Sequence, residues 1–139
     1  MLSDRQLQFI NSQPVARLAT ADGSGVPHVV PVCFAVDSGT LYIQIDQKPK
    51  KSATRPLKRI RNLEENPNVT VIVDHYDDDW SKLAWIMLRG TAEILSDGKE
   101  YRSAQQHLTS RYPQYQAMDL AGLAIIAVRI ARVTQWGDV

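Results

Sequence analysis

The chain has 139 residues, with 16 Lys and Arg against 15 Asp and Glu, for a formal charge of +1. That length fits a single domain, residues 1–139, able to bury roughly 68% of the surface exposed when unfolded, and near-neutrality excludes bulk attraction to nucleic acid or an anionic membrane, so a cation cluster must act locally. The single cysteine, Cys33, excludes an intrachain disulfide and fits a reducing compartment, no apolar run reaches the ~18 residues of a spanning helix, and residues 1–13 lack the basic start and apolar centre of a signal peptide, so a cytoplasmic protein is expected.

Ser3 and Gln6 form a capping box, and Leu7 and Ile10 follow at helical spacing before Pro14, which predicts a first helix. Residues 15–20 and 27–36 read as strands around the turn-rich ADGSG, and Asp37-Ser38-Gly39 leads into a third strand at 41–45, so the three form a meander. A basic helix follows. Pro56 is tolerated in its first turn, Leu57, Ile60 and Leu63 form its apolar side, and Asn66-Pro67 ends it. Residues 69–76 are rich in β-branched side chains, and residues 83–95 form a longer strand with a bulge or bend expected at Gly90. Asp97 and Glu100 predict a capping box for a helix that sends Tyr101, Ala104 and Leu108 to the core. Apolar alternation over 123–136 predicts a last strand. Six strands without regular βα alternation imply a mainly β protein with α additions, an antiparallel barrel.

The stretch KPKKSATRPLKRIR, residues 48–61, holds seven of the 16 Lys and Arg residues. Following a strand and entering a helix, it reads as a phosphate cradle in which backbone N–H groups and the helix dipole reinforce the cations. The competing reading is a solvated helix face. Gly23 and Gly25 precede a strand, not a helix, so they mark a hairpin turn and not a dinucleotide loop. His28, His75 and His107 lack metal-ligand spacing, and the acidic group Asp74, Asp77, Asp78 and Asp79 lacks that of a calcium loop and reads as solvated. Trp80, at the end of that loop, either covers the core or meets a ring-shaped ligand or partner. Cys33 has no neighbouring base in sequence, so no nucleophile arrangement can be placed, and any chemistry falls to a bound cofactor.

The phrases VARLATADGSGVPHVVPVCFAVD, RNLEENPNVTVIVD, HYDDDW, LRGTAEIL and VTQW, in this order from Val15 to Trp136, resemble the pyridoxamine phosphate oxidase-like split β-barrel family. KPK, HYDDDW and RYPQY are similar to its small bacterial members described as deazaflavin-dependent oxidoreductases. The resemblance implies a six-stranded antiparallel split barrel, a homodimer, and two equivalent interface sites, each taking FMN or the deazaflavin coenzyme F420. It implies that Arg55, Lys58 and Arg59 hold the phosphate, a role shared with Lys48, Lys50 and Lys51 just before them. It places the ring near Val30, Pro31, Val32, Ile45 and Asp46, and brings Trp80 to the ring from the other subunit.

The function so implied is hydride transfer between the cofactor and a small-molecule substrate, with no side chain as nucleophile and with His28 or water supplying any accompanying proton. Seven cations exceed what one phosphate needs, which favours the longer, carboxylate-tailed deazaflavin coenzyme over FMN. The alternative is a non-catalytic flavin carrier or sensor. A nucleic-acid role is disfavoured because the cations are confined to one segment beside an acidic loop.

Overall fold

The computed structural model describes residues 1–46 and 57–139. In chain order these form α1 (Asp4–Ser12), β1 (Ala16–Ala21), β2 (Pro27–Val32), β3 (Ala35–Asp37), β4 (Thr40–Gln44), α2 (Lys58–Glu65), β5 (Asn68–His75), β6 (Ala84–Leu95), α3 (Lys99–Arg111) and β7 (Ile125–Gly137), with 3₁₀ turns at Trp80–Lys82 and Pro113–Ala117. The strands make one curled antiparallel sheet in the order β2-β1-β5-β6-β7-β4-β3, a half-barrel of the split-barrel type.

Two sequence expectations change here. The described strands number seven, because residues 27–36 break into β2 and β3, and they do not form a meander, because β2 pairs with β1 at one edge while β3 pairs with β4 at the other. The break has a local cause. Phe34 is fully buried, and its backbone groups leave the ladder: its N–H donates to the Tyr112 hydroxyl at 3.1 Å, and its carbonyl accepts from Arg111 Nη1 at 2.7 Å. Arg111 also donates to the Gln13 carbonyl at 2.6 Å, and its guanidinium lies 4.4 Å from the Phe34 ring centroid.

Apolar side chains fill both sides of part of this sheet. Leu18, Phe34, Val71, Val73, Ile86, Leu88, Ile126 and Val128 pack inside the curl with Ile10 of α1 and Leu63 of α2. Ala35, Tyr42, Ile125 and Ala127 pack outward against Tyr101, Ala104 and Leu108 of α3. β4 lies between the two clusters and is buried at all five positions. The outer face of β2, β1, β5 and β6 is more open, with Val29 61% exposed.

The Ser3–Gln6 capping box forms as expected, and so does the irregularity at Gly90, where the β6–β7 register shifts. A Cβ at Gly90 would stand 1.9 Å from the Arg129 carbonyl oxygen, so the close strand approach admits hydrogen alone. The second expected capping box does not form: α3 begins one residue later with Gly98 as its cap and no side-chain capping bond. Glu100 is engaged elsewhere. It accepts from both Arg129 guanidinium nitrogens and from the Tyr42 hydroxyl, the last at 2.7 Å, while Arg129 also reaches Glu93 at 3.0 Å.

Hydrogen bonding by Arg129, then by Tyr42, holds the Glu100 carboxyl at about 2, below its ordinary 4.5. A depressed folded-state value means that the contribution is complete above about pH 4.5 and is lost as pH falls towards 2. The melting temperature should fall through that window, and Glu100→Gln should flatten this part of the profile, measured by circular dichroism. Gly90→Ala should cost about 1–3 kcal/mol or more by overpacking. Gly23→Ala, whose Cβ would meet its nearest neighbour at an ordinary 3.7 Å, should be near neutral when the two variants are compared by urea titration.

Candidate functional site

Because β2 and β4 belong to opposite ends of the sheet order, a gap separates them where the curl brings them together. That gap is a cleft of about 410 Å³, within the range of ~300–1,000 Å³ usual for small-molecule sites. Val30, Pro31, Val32 and Cys33 form one wall and Ile43, Gln44 and Asp46 the other, with Arg59 of α2 and Tyr115 of the second 3₁₀ turn completing it.

The polar groups of the cleft divide into engaged and free ones. Gln44 is locked: its Nε2 donates to the Ile45 carbonyl at 2.8 Å and the Ala124 carbonyl at 3.2 Å, and its Oε1 accepts from Gln105 at 3.1 Å. Burial pushes the Cys33 thiol up, with Asp46 adding to it, against the opposing hydrogen bond from Tyr115. Burial likewise pushes the Tyr115 phenol far above its usual range. Both groups therefore stay protonated at neutral pH. Arg59 differs. Its Nε is buried without a hydrogen-bond partner among the described residues, and burial pushes the guanidinium down while nearby Asp46 pushes it back up. A buried, unpaired donor on a cation is costly, and a bound anion would offset that cost.

The family model for pyridoxamine 5'-phosphate oxidase matches residues 2–137. The chain belongs to that family. It is 28% identical over 101 residues, 72% of this chain and 68% of the relative, to the 5a,11a-dehydrotetracycline/5a,11a-dehydrooxytetracycline reductase of Streptomyces rimosus. Among solved structures it is similar to a conserved hypothetical protein of Mycobacterium tuberculosis, at 22% identity and a TM-score of 0.75, covering 99% of this chain and 86% of the other. It is also similar to HutZ, the haem storage protein of Vibrio cholerae, at 16% identity and a TM-score of 0.74, covering 99% and 95%.

Of the residues that resemblance to the pyridoxamine 5'-phosphate oxidase family assigns to a cofactor, Val30, Pro31, Val32, Asp46 and Arg59 meet in the cleft. Ile45 does not line it. It is 5% exposed, one residue out of phase with Gln44 and Asp46, and packs in the inner core. Lys58 does not line it either, and its ammonium stands 3.9 Å from Asp22 of the β1–β2 turn. Trp80 is 70% exposed on the β5–β6 loop, which overturns its core reading, and it lies outside the cleft of its own chain. Lys48, Lys50, Lys51 and Arg55 lie outside the described residues. His28, on β2 beyond Val30, does not line the cleft.

Cys33, Gln44 and Tyr115 were missed. Cys33 follows the Val30–Val32 wall directly, and that adjacency was the available signal. Tyr115 arrives from far along the chain, and only the RYPQY phrase marked it. Since Arg59 carries an unpaired buried donor, Arg59→Met should leave the melting temperature of the ligand-free protein unchanged or raise it, as scanning calorimetry would show. A clear loss would mean that the guanidinium supports the fold.

Proposed function

We propose that this protein is a flavin-type oxidoreductase that binds FMN or the deazaflavin coenzyme in the β2–β4 cleft and transfers a hydride between it and a small organic substrate. The observation that carries the reading is the meeting of Val30–Val32, Asp46 and Arg59, from three separate segments, around one cleft into which Arg59 brings a buried Nε with no partner among the described residues. When bound, the cofactor supplies hydride transfer. The apolar β2 wall keeps water from its ring, and Arg59 neutralises its anionic end. Tyr115 and Cys33 hold their protons beside it. The Streptomyces rimosus relative is named for reducing a dehydro compound, which supports a substrate that is reduced and not oxidised.

A flavin-type ring suits these residues better than a haem. None of His28, His75 and His107 lines the cleft, and Cys33 is held as a thiol, which is a poor iron ligand. A carrier or sensor would use the same cleft and differ in failing to reoxidise its cofactor with any acceptor. The deazaflavin coenzyme is favoured by the surplus cations of residues 48–61.

The functional unit is a homodimer in this reading, with Trp80 of one copy meeting the cofactor of the other. The exposed indole fits this role, because a monomer leaves a large apolar side chain in water.

Titration of both cofactors at low and high salt tests the choice. The deazaflavin coenzyme should bind more tightly, with an advantage that shrinks as salt screens the long tail; tighter FMN binding at both would make this an FMN protein. Arg59→Ala should weaken binding by about 1.5–3 kcal/mol. Trp80→Ala should lower affinity or turnover while leaving the ligand-free melting temperature close to wild type, because the indole packs little on its own chain.

A further inference from the structure

The outer face of the sheet carries an arginine pair. Arg89 of β6 and Arg132 of β7 stand directly opposite in register, an arrangement that costs stability, and among the described residues neither forms an ion pair. Arg89 lines a second cleft of about 530 Å³ with Asn68, Thr70 and Thr91, kept open by Ala19 and Gly90.

The same face has a complementary feature at its other end. In the β5–β6 loop, Asp77 accepts from the Asp79 N–H at 2.8 Å, and Asp79 accepts from the Ser81 N–H at 3.1 Å and hydroxyl at 2.7 Å. These bonds fix the loop and leave Asp78 exposed, without a partner among the described residues, between Tyr76 and Trp80, which are 67% and 70% exposed. Burial along β6 alternates, so Trp85, Met87 and Arg89 share the outer face, with Trp136 opposite Trp85 and 53% exposed. Ala84 and Arg89 are five residues apart, roughly 17 Å of strand. The face thus ends in an acidic, aromatic loop at one side and a basic, concave patch at the other, about that far apart, an arrangement that is self-complementary about a two-fold axis between them.

We propose that two copies dock through this face, with Asp78 of each copy seated against Arg89 and Arg132 of the other. The inference rests on the homodimer of the preceding section and adds its contact surface and electrostatic specificity. Both contacts form at once, because an isologous interface repeats every contact. The arginine pair then receives its anion, and the exposed aromatic side chains leave water.

Sedimentation equilibrium of the full chain tests this. Asp78→Arg and the paired change Arg89→Glu with Arg132→Glu should each weaken dimerisation by roughly tenfold or more, and combining all three should restore it to within about threefold of wild type. High salt, near ~1 M, should weaken the wild-type dimer. All three positions are exposed, so circular dichroism should show intact folds. A dimeric wild type indifferent to both reversals, or separate losses without rescue in the combined variant, overturns this docking while leaving the homodimer standing. A monomeric wild type overturns both.

Discussion

The crossing at Phe34 is the constraint on which the remaining architecture rests. The chain leaves one edge of the sheet at Val32 and re-enters at the opposite edge at Ala35. A buried Phe34 whose backbone groups found no partner would be prohibitive. Tyr112 and Arg111, at the end of α3, supply those partners, and Arg111 ties in the carbonyls of Asn11 and Gln13 at the end of α1. Hydrogen bonds from a charged donor are each worth about 1.5–3 kcal/mol. This one guanidinium therefore joins α1, the crossing and α3.

The polar groups around the cleft are not equally satisfied. Gln44 has a partner for both ends of its amide. Among the described residues the buried Arg59 Nε has none, and neither do Arg61 Nε, His28 Nδ1 and Asn62 Oδ1. Of these four, Arg59 alone lines the cleft, where three segments converge.

What the sequence disclosed follows from how local each signal is. The Ser3 cap, the Gly90 irregularity and the apolar side of α2 depend on neighbours within a few residues, and each reading holds. The Glu100 cap was misjudged because Arg129 and Tyr42, both distant in sequence, compete for the same carboxylate. The break at Phe34 was hidden for a similar reason, since its partners lie near residue 111 and the stretch reads as one continuous apolar run. In the cleft, Val30, Pro31, Val32, Asp46 and Arg59 were legible through family resemblance. Ile45 was misplaced by a single residue of strand phase, which turns a side chain from the cleft to the core. Tyr115 was marked by the RYPQY phrase alone, because no periodicity links it to β2.

The two prolines of β2 gain a meaning from its place at the sheet's edge. Edge strands offer a free row of donors and acceptors to any passing chain, and proline is accommodated there with its absent N–H directed away from the ladder. Pro27 and Pro31 pair with Ala21 and Arg17 of β1 on one side, so on the other side they leave Val29 as the donor between them. The strand cannot template a full ladder with a newly synthesised neighbour, and the same deletion of donors discourages the sheet from sealing its own seam. Resistance to aggregation and the persistence of an open cleft are in this chain one property, written in two imino acids.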